Sequence, residues 1–84
     1  MSFRVHVRVM PRGGLLDPQG QAVLHALGSL GYSGVKGVRI GKLIELDLET
    51  NERTQAEADL RTMCDRLLAN PITEDYRFDL LDEP

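Results

Sequence analysis

Alternation of apolar and polar residues at the start of the chain is the feature that most limits what it can fold into. The odd positions from 3 to 9 are apolar, and the even positions between them are Arg4, His6 and Arg8. Because successive side chains of a strand point to opposite faces, this pattern predicts a strand with one buried and one solvated face. The alternation therefore predicts a sheet with one charged face open to water.

A turn and then a helix follow the first strand. The segment Pro11-Arg12-Gly13-Gly14 is typical of a turn, and Asp17-Pro18 is an N-cap residue followed by proline at the first helical position. Apolar residues then recur at helical spacing as far as Gly31, a residue type common at helix C-termini. These signals predict a helix over about residues 18–30.

A second alternating stretch covers residues 38–48 and is interrupted at Gly41-Lys42. One continuous strand of this length would be unusual, so we interpret the stretch as a hairpin. A three-residue loop, Gly41-Lys42-Leu43, would place Ile40 opposite Ile44 and match apolar with apolar residues. A two-residue turn would set apolar residues against acidic ones, so the three-residue loop is favoured.

A second helix and a last strand complete the pattern. Thr54 and Glu57 have the spacing of a capping box, and Asn70-Pro71 ends the helix that begins there. Six apolar residues form the stripe that this helix is expected to bury: Ala56, Leu60, Met63, Cys64, Leu67 and Leu68. Alternation returns in residues 75–80, where the even positions are apolar.

The resulting order is β-α-β-β-α-β, which most often folds as a ferredoxin-like α+β domain. We therefore expect a four-stranded antiparallel sheet with strand order 4-1-3-2 and both helices on one face. A chain of 84 residues is long enough for one core and too short for two. Residues 1–84 are expected to form a single domain, and oligomerisation would help to stabilise so small a core.

Charge is divided unevenly along the chain, although the formal net charge is only −3. Residues 1–42 carry six basic side chains and one acidic, whereas residues 43–84 carry four basic and twelve acidic. Such asymmetry can indicate nucleic-acid binding. In the expected sheet, however, the basic first strand lies between two strands whose outward residues are Glu45, Asp47 and Glu49 on one side and Asp75, Arg77 and Asp79 on the other. The charge split then predicts cross-strand ion pairs.

Several functional classes are excluded by the same residues. The RNA-recognition fold shares this topology, but acidic residues on the outward face of the third strand would repel a phosphate backbone. No run approaches the about 18 apolar residues of a membrane span, and the alternation from residue 3 onward is unlike a secretory leader. With one cysteine there is no internal disulfide, and no Cys/His cluster has zinc spacing. We expect a cytoplasmic protein that binds neither nucleic acid nor membrane.

Two glycine-containing segments resemble phosphate-binding loops. Arg12-Gly13-Gly14 precedes a helix start, where backbone amides bind anions. Asp17 opposes this interpretation, because its carboxylate lies at the same helix start and repels phosphate. Gly41-Lys42 resembles the end of a P-loop, but Lys36 replaces the first glycine and Leu43 replaces the Ser or Thr. A plain loop and a hairpin turn are the favoured interpretations.

The remaining titratable residues are better explained by structure than by catalysis. His6 and His25 lack a base–nucleophile spacing, and Cys64 lies on an apolar stripe. Two alternatives stay open: a small acylphosphatase-like enzyme that uses Arg12 and its glycines, and a dimeric ligand-sensing module of the ACT type. Otherwise the residues indicate a binding or assembly module without an active site of its own.

Short segments along the whole chain resemble those of one protein family. They are Leu16-Asp17-Pro18-Gln19-Gly20, Leu30-Gly31-Tyr32, Val38-Arg39-Ile40-Gly41-Lys42, Ile44-Glu45-Leu46, Met63-Cys64, Leu67-Leu68-Ala69-Asn70-Pro71 and Glu74-Asp75-Tyr76. In these the chain resembles the PurS family, the small subunits of bacterial and archaeal phosphoribosylformylglycinamidine synthase. The loop Pro11-Arg12-Gly13-Gly14 and the short acidic tail depart from the family pattern.

The resemblance implies a role in de novo purine biosynthesis. The family's synthase converts formylglycinamide ribonucleotide, glutamine and ATP into formylglycinamidine ribonucleotide, glutamate, ADP and phosphate. PurQ releases ammonia from glutamine, PurL performs the ATP-dependent amidation, and PurS joins them and assists ammonia transfer. The resemblance therefore implies a homo-oligomer, most simply a dimer, with PurL and PurQ as partners. No catalytic, cofactor-binding or metal-binding residue is expected on this chain, and ATP and magnesium are expected on PurL.

For the partner interface we predict the segment that joins the first strand to the first helix, together with the tip of the hairpin. The predicted residues are Arg12, Leu15, Leu16, Asp17, Gln19 and Lys42. Two adjacent leucines in a loop do not easily point into one small core, which favours a contact with another protein. The alternative is that one of them packs on the first helix as a hydrophobic staple.

Overall fold

The computed structural model describes residues 2–14 and 17–82. Three strands and two helices occur in this part of the chain. They are β1 (Ser2–Pro11), α1 (Pro18–Ser29), β2 (Lys42–Glu49), α2 (Arg53–Met63), which continues into a π-helical turn (Cys64–Leu68), and β3 (Glu74–Asp82). The strands form one sheet in the order β2-β1-β3, and β1 is antiparallel to both neighbours.

The core lies between β1 and α2. Alternate residues of β1, from Phe3 to Val9, are buried, and Ala56 and Leu60 of α2 and Cys64 of the π-helical turn are buried against them. The opposite side chains of β1 face the solvated side of the sheet. The predicted half-buried first strand is confirmed, and so is its position between the second alternating stretch and the last strand.

In the part of the chain that the structure describes, the predicted hairpin and fourth strand do not form. Residues 35–41 form no strand, and Lys42, expected at the hairpin tip, begins β2 opposite Val9. The Ile40 N–H donates to the Asp17 carboxylate at 2.9 Å, so it is not available to a neighbouring strand. A Cβ at Gly41 would overlap the Val9 carbonyl oxygen, so the backbone lies directly against β1 there. The segment that ends at Gly41 therefore passes the N-terminal end of α1 and enters β2 without forming a hairpin.

The first helix occupies nearly the predicted residues but not the predicted place. Asp17 is its N-cap, and Gly31 follows its end with a positive φ of 98°. Among the described residues, α1 adds none to the core, and Gly20 is its only buried residue. The radius of gyration is 16.5 Å, whereas a compact chain of this length would have about 12 Å. We call residues 18–39 the arm, because they extend from the sheet instead of covering it.

The second helix differs from the prediction at both ends. It begins at Arg53, after an N-cap Glu52 that makes no side-chain cap hydrogen bond, so the capping box at Thr54 is wrong. At its other end the chain widens into the π-helical turn, where the Ala69 N–H donates to the Cys64 carbonyl. This geometry has more residues per turn than an α-helix. As a result Leu68 packs against the core and Leu67, predicted to be buried, is 82% exposed.

Candidate protein interface

On the open face of the sheet, ion pairs and one histidine–carboxylate hydrogen bond link the strands. Arg4 lies 3.4 Å from Asp47 and 3.6 Å from Glu45. His6 lies 2.9 Å from Glu45, and Arg8 lies 2.7 Å from Asp79. These contacts confirm the predicted pairing of the basic strand with its acidic neighbours. Because the ion pairs are exposed, each contributes about 0–1 kcal/mol to stability. The pairing of strands explains the uneven charge distribution without a charged ligand.

Arg12 ties the loop after β1 to the turn before β3. Its guanidinium donates to the Pro71 carbonyl at 2.6 Å and lies 3.5 Å from the Asp75 carboxylate. Its backbone N–H donates to the Thr73 carbonyl at 2.9 Å. The side chain is therefore held by the protein itself, which weakens its interpretation as a phosphate-binding residue.

A shallow cavity of about 380 Å³ lies beside this loop. Arg12, the two following glycines, Asp17 and Arg39 are among the residues that line it. The Arg39 guanidinium donates to the Pro11 carbonyl, so it too is engaged with the main chain. With both guanidinium groups bonded and a carboxylate in the wall, the cavity is a poor anion site.

Asp17 connects two distant parts of the chain. One carboxylate oxygen accepts from the Gly20 N–H at 3.0 Å, and the other accepts from the Ile40 N–H at 2.9 Å. The Ile40 bond, followed by the Gly20 bond, lowers the pKa of Asp17, and the charge of Arg39 acts in the same direction. Asp17 is thus ionised at neutral pH and accepts both hydrogen bonds.

The predicted interface residues are partly brought together. Arg12 and Asp17 line the same cavity, and Gln19 is exposed in the first turn of α1. Lys42 is exposed at the same end of the sheet as Arg12, opposite Val9, and not at a hairpin tip. Leu15 and Leu16 lie outside the described residues.

The arm exposes an apolar surface that the sequence pattern assigned to the core. Its exposed apolar side chains include Val23, Leu30, Tyr32 and Val35, with Leu30 exposed to 73%. Tyr32 and Val35 follow the helix, whereas the apolar residues within positions 22–30 have the helical spacing typical of a helix packed on its own sheet, so no sequence signal separates the two cases. Exposed apolar patches of this kind mark sites of protein association.

The sheet is incompletely covered along its two outer strands. The inward side chains of β2, which are Ile44, Leu46 and Leu48, are only half-buried. Helix α2 directs its long side chains toward β3: Arg53 donates to the Leu80 carbonyl at 3.3 Å, and Arg61 stacks on the Phe78 ring. The inward side chains of β3, which are Tyr76, Phe78 and Leu80, are half-buried as well, so both outer strands are incompletely covered while the apolar side chains of α1 pack on no sheet.

Groups capable of chemistry are few in the described part of the chain. Cys64 is buried, and desolvation raises the pKa of its thiol, which disfavours the reactive thiolate. Desolvation and a 3.1 Å hydrogen bond to Asp65 raise the pKa of Tyr76. Across residues 2–14 and 17–82, no three His, Cys, Asp or Glu side chains are placed to hold a metal ion, and no helix is long and apolar enough to span a bilayer.

Comparison with known proteins identifies relatives over nearly the whole chain. A family model described as PurS, phosphoribosylformylglycinamidine (FGAM) synthase, matches residues 4–82. The chain is 48% identical over 79 residues to phosphoribosylformylglycinamidine synthase subunit PurS of Synechocystis, covering 94% of this chain and 79% of the relative. It is 45% identical over 78 residues to the Bacillus subtilis subunit, covering 93% and 92%.

Solved structures agree with these sequence relatives. A crystal form of Bacillus subtilis PurS superposes with a TM-score of 0.86 at 44% identity, over 95% of this chain and 99% of that one. A chain from the structure of PurLQS from Thermotoga maritima superposes with a TM-score of 0.88 at 30% identity, over 96% and 99%.

Proposed function

The chain belongs to the PurS family of phosphoribosylformylglycinamidine synthase subunits, and from this premise we propose that it joins the ammonia-producing and ammonia-using proteins of that synthase. The observation that carries the proposal is the match along residues 4–82, together with the superposition on a chain of a PurLQS complex. In this role it serves de novo purine biosynthesis in the cytoplasm.

An assembly role fits the chemistry of the described residues. The buried thiol is not a thiolate, the guanidinium of Arg12 is engaged with the main chain, and the exposed apolar surface is that of a binding protein. Ammonia released into neutral water is protonated and is no longer a nucleophile. A subunit that seals the path from PurQ to PurL keeps water away from it. ATP and magnesium are bound by PurL in this proposal.

We further propose that two copies of the chain exchange their arms. The exposed apolar stripe of one α1 would cover the half-buried row of β2 in the second copy, and the reverse contact follows by two-fold symmetry. Residues 35–41, which pair with no strand in the single chain, would supply the fourth strand of the ferredoxin-like sheet. Complete burial of each large apolar side chain contributes about 1.5–3 kcal/mol.

Reconstitution of the synthase tests the proposed role. Purified chain is added to PurL and PurQ, and glutamine-dependent formation of formylglycinamidine ribonucleotide is measured. We expect product only when all three proteins are present. A parallel reaction with an ammonium salt in place of glutamine is the control, because it bypasses PurQ and the transfer step. Absence of stimulation in the glutamine reaction, with the ammonium reaction active, would remove the proposed function.

A charge placed on the arm tests the exchange. Leu30→Asp puts a carboxylate on the proposed contact, whereas Leu67→Asp makes the same change at a similarly exposed leucine outside the arm. We expect sedimentation to show a dimer for the parent chain and for Leu67→Asp, and a monomer for Leu30→Asp. A Leu30→Asp variant that dimerises as tightly as the parent would contradict the exchange.

The two alternatives are not favoured. An acylphosphatase-like enzyme would need Arg12 free for phosphate, and its guanidinium is bonded to Pro71 and lies beside Asp75. An ACT-type module would respond to small metabolites, whereas a PurS subunit responds to its protein partners. Assays of acyl phosphate hydrolysis, and of thermal shift with amino acids, should both be negative.

A further inference from the structure

One carboxylate fastens both ends of the arm. Asp17 precedes the arm and Ile40 follows it, yet their atoms meet, because the two oxygens of Asp17 accept from the Gly20 and Ile40 amides at 3.0 and 2.9 Å. An N-cap needs only the first of these hydrogen bonds. The second joins the start of α1 to the segment that enters β2.

The backbone packs closely around this carboxylate, with no space for a larger side chain at Gly20. Gly20 is buried, and a Cβ there would overlap the Val38 carbonyl oxygen. The Arg39 guanidinium donates to the Pro11 carbonyl, and Gly41 lies against the Val9 carbonyl. We call Asp17, Gly20, Val38 and Ile40 the clasp. The clasp is anchored on the end of β1, and through β1 on the whole sheet.

The direction of the arm depends on this anchor. No described residue of α1 belongs to the core, so packing on the sheet does not orient the helix. Twelve residues at 1.5 Å each make α1 about 18 Å long. A rotation of about 20° at its base would move its far end by about 6 Å, more than the rise of one helical turn. Such a displacement would move the apolar side chains at the far end of α1 away from their contact surface on a partner.

We propose that Asp17 is a positioning residue for subunit assembly, because its two hydrogen bonds set the direction in which the arm leaves the sheet and so align α1 with the second copy. The inference rests on the proposed exchange of arms. A pre-oriented arm loses less conformational freedom on association than a freely hinged one, so the clasp strengthens dimerisation without contacting the partner.

Conservative variants of Asp17 separate the clasp from the ordinary N-cap. In Asp17→Asn the side-chain oxygen still accepts from Gly20, but the amide NH₂ faces the Ile40 N–H, another donor. Asn and Ser are both good N-caps, so Asp17→Asn and Asp17→Ser should keep α1 while losing the second bond. Asp59→Asn is the matched control, because it removes the same charge from α2, where Asp59 accepts from Gln55 at 2.9 Å.

The dimer dissociation constant is measured by sedimentation over a dilution series, and the helix content by far-ultraviolet circular dichroism. We expect the dissociation constant to rise by up to about tenfold in both Asp17 variants, because the lost hydrogen bond to a charged group limits what orienting the arm contributes to association. The Asp59→Asn control should not change it. Hydrogen exchange of the Ile40 amide should become faster in Asp17→Asn, which a purely local capping role would not cause.

Gly20→Ala provides an independent perturbation of the clasp, because the added methyl group displaces the Val38 carbonyl. It should weaken dimerisation in the same direction. A parent chain that stays monomeric at all concentrations would refute the exchange of arms itself. A dimeric parent with unchanged dissociation constants in Asp17→Asn and Gly20→Ala would overturn the clasp alone. Unfolding of the sheet in Asp17→Asn and Gly20→Ala would also overturn the proposed role of the clasp. In that case Asp17 would stabilise the whole domain and not only orient the arm.

Discussion

Because of the π-helical turn at the end of α2, two adjacent leucines contribute differently to the free energy of unfolding. Leu68 packs against the core, whereas Leu67 is 82% exposed. In a continuous α-helix, the residues three and four positions after Cys64 would share its buried face, so Leu67 would be buried together with Leu68. Truncation of each leucine to alanine therefore distinguishes the two geometries.

The magnitudes follow from the burial of each side chain. Truncation of a fully buried leucine costs about 2–5 kcal/mol, and Leu68 is partly buried, so we expect about 2 kcal/mol for Leu68→Ala. Leu67→Ala changes an exposed side chain and should cost less than about 0.5 kcal/mol. The expected difference of about 1.5 kcal/mol between the variants exceeds the error of a denaturation measurement.

Urea denaturation is the appropriate assay, performed at one fixed protein concentration because association shifts apparent stability. The urea concentrations at the midpoints should differ, while the slope of the free energy of unfolding against urea concentration should be the same for the parent and both variants. A Leu67→Ala variant that loses as much stability as Leu68→Ala, or more, would refute the π-helical assignment and restore the uninterrupted helix.

Two further predictions concern electrostatics. Arg8→Ala removes the 2.7 Å ion pair between Arg8 and Asp79, two side chains that are each more than half exposed. The free energy of unfolding, measured by urea denaturation, should fall by less than about 1 kcal/mol, and by less still in high salt. Because hydrogen bonds lower the pKa of Asp17 below its ordinary value of 3.8, its stabilisation should be present above pH 3.8 and lost as the pH falls through the lowered pKa. An NMR titration of the carboxyl carbon that shows a raised pKa would contradict this.

Local elements were predictable from the sequence because their causes are local. The alternation from Phe3 to Val9 determines which side chains of β1 are buried. Asp17-Pro18 and Gly31 determine where α1 begins and ends, since capping and backbone preferences act within a few residues. The position of the first strand between two acidic neighbours also followed, because charge complementarity can be read once strand faces are assigned.

Predictions that depended on a distant partner group were wrong. The hairpin at Gly41-Lys42 rested on matching apolar residues, but the Ile40 amide bonds to Asp17 instead of to a strand. Leu67 was assigned to the core on an α-helical period, which the π-helical turn changes. Arg12 stays a predicted interface residue, and its bond to Pro71, which links residues far apart in sequence, was not predictable from the sequence.

The sequence by itself determined the number and type of most elements, the buried face of β1 and the family to which the chain belongs. Only the tertiary structure decided where α1 lies, because an apolar helical stripe has the same pattern whether its own sheet or another subunit covers it. The Asp17 carboxylate accepts from the Ile40 amide at the base of the arm, a contact between residues 23 positions apart. In the structure α1 lies away from the core, and in the proposed dimer the arm is oriented by this contact toward the second copy.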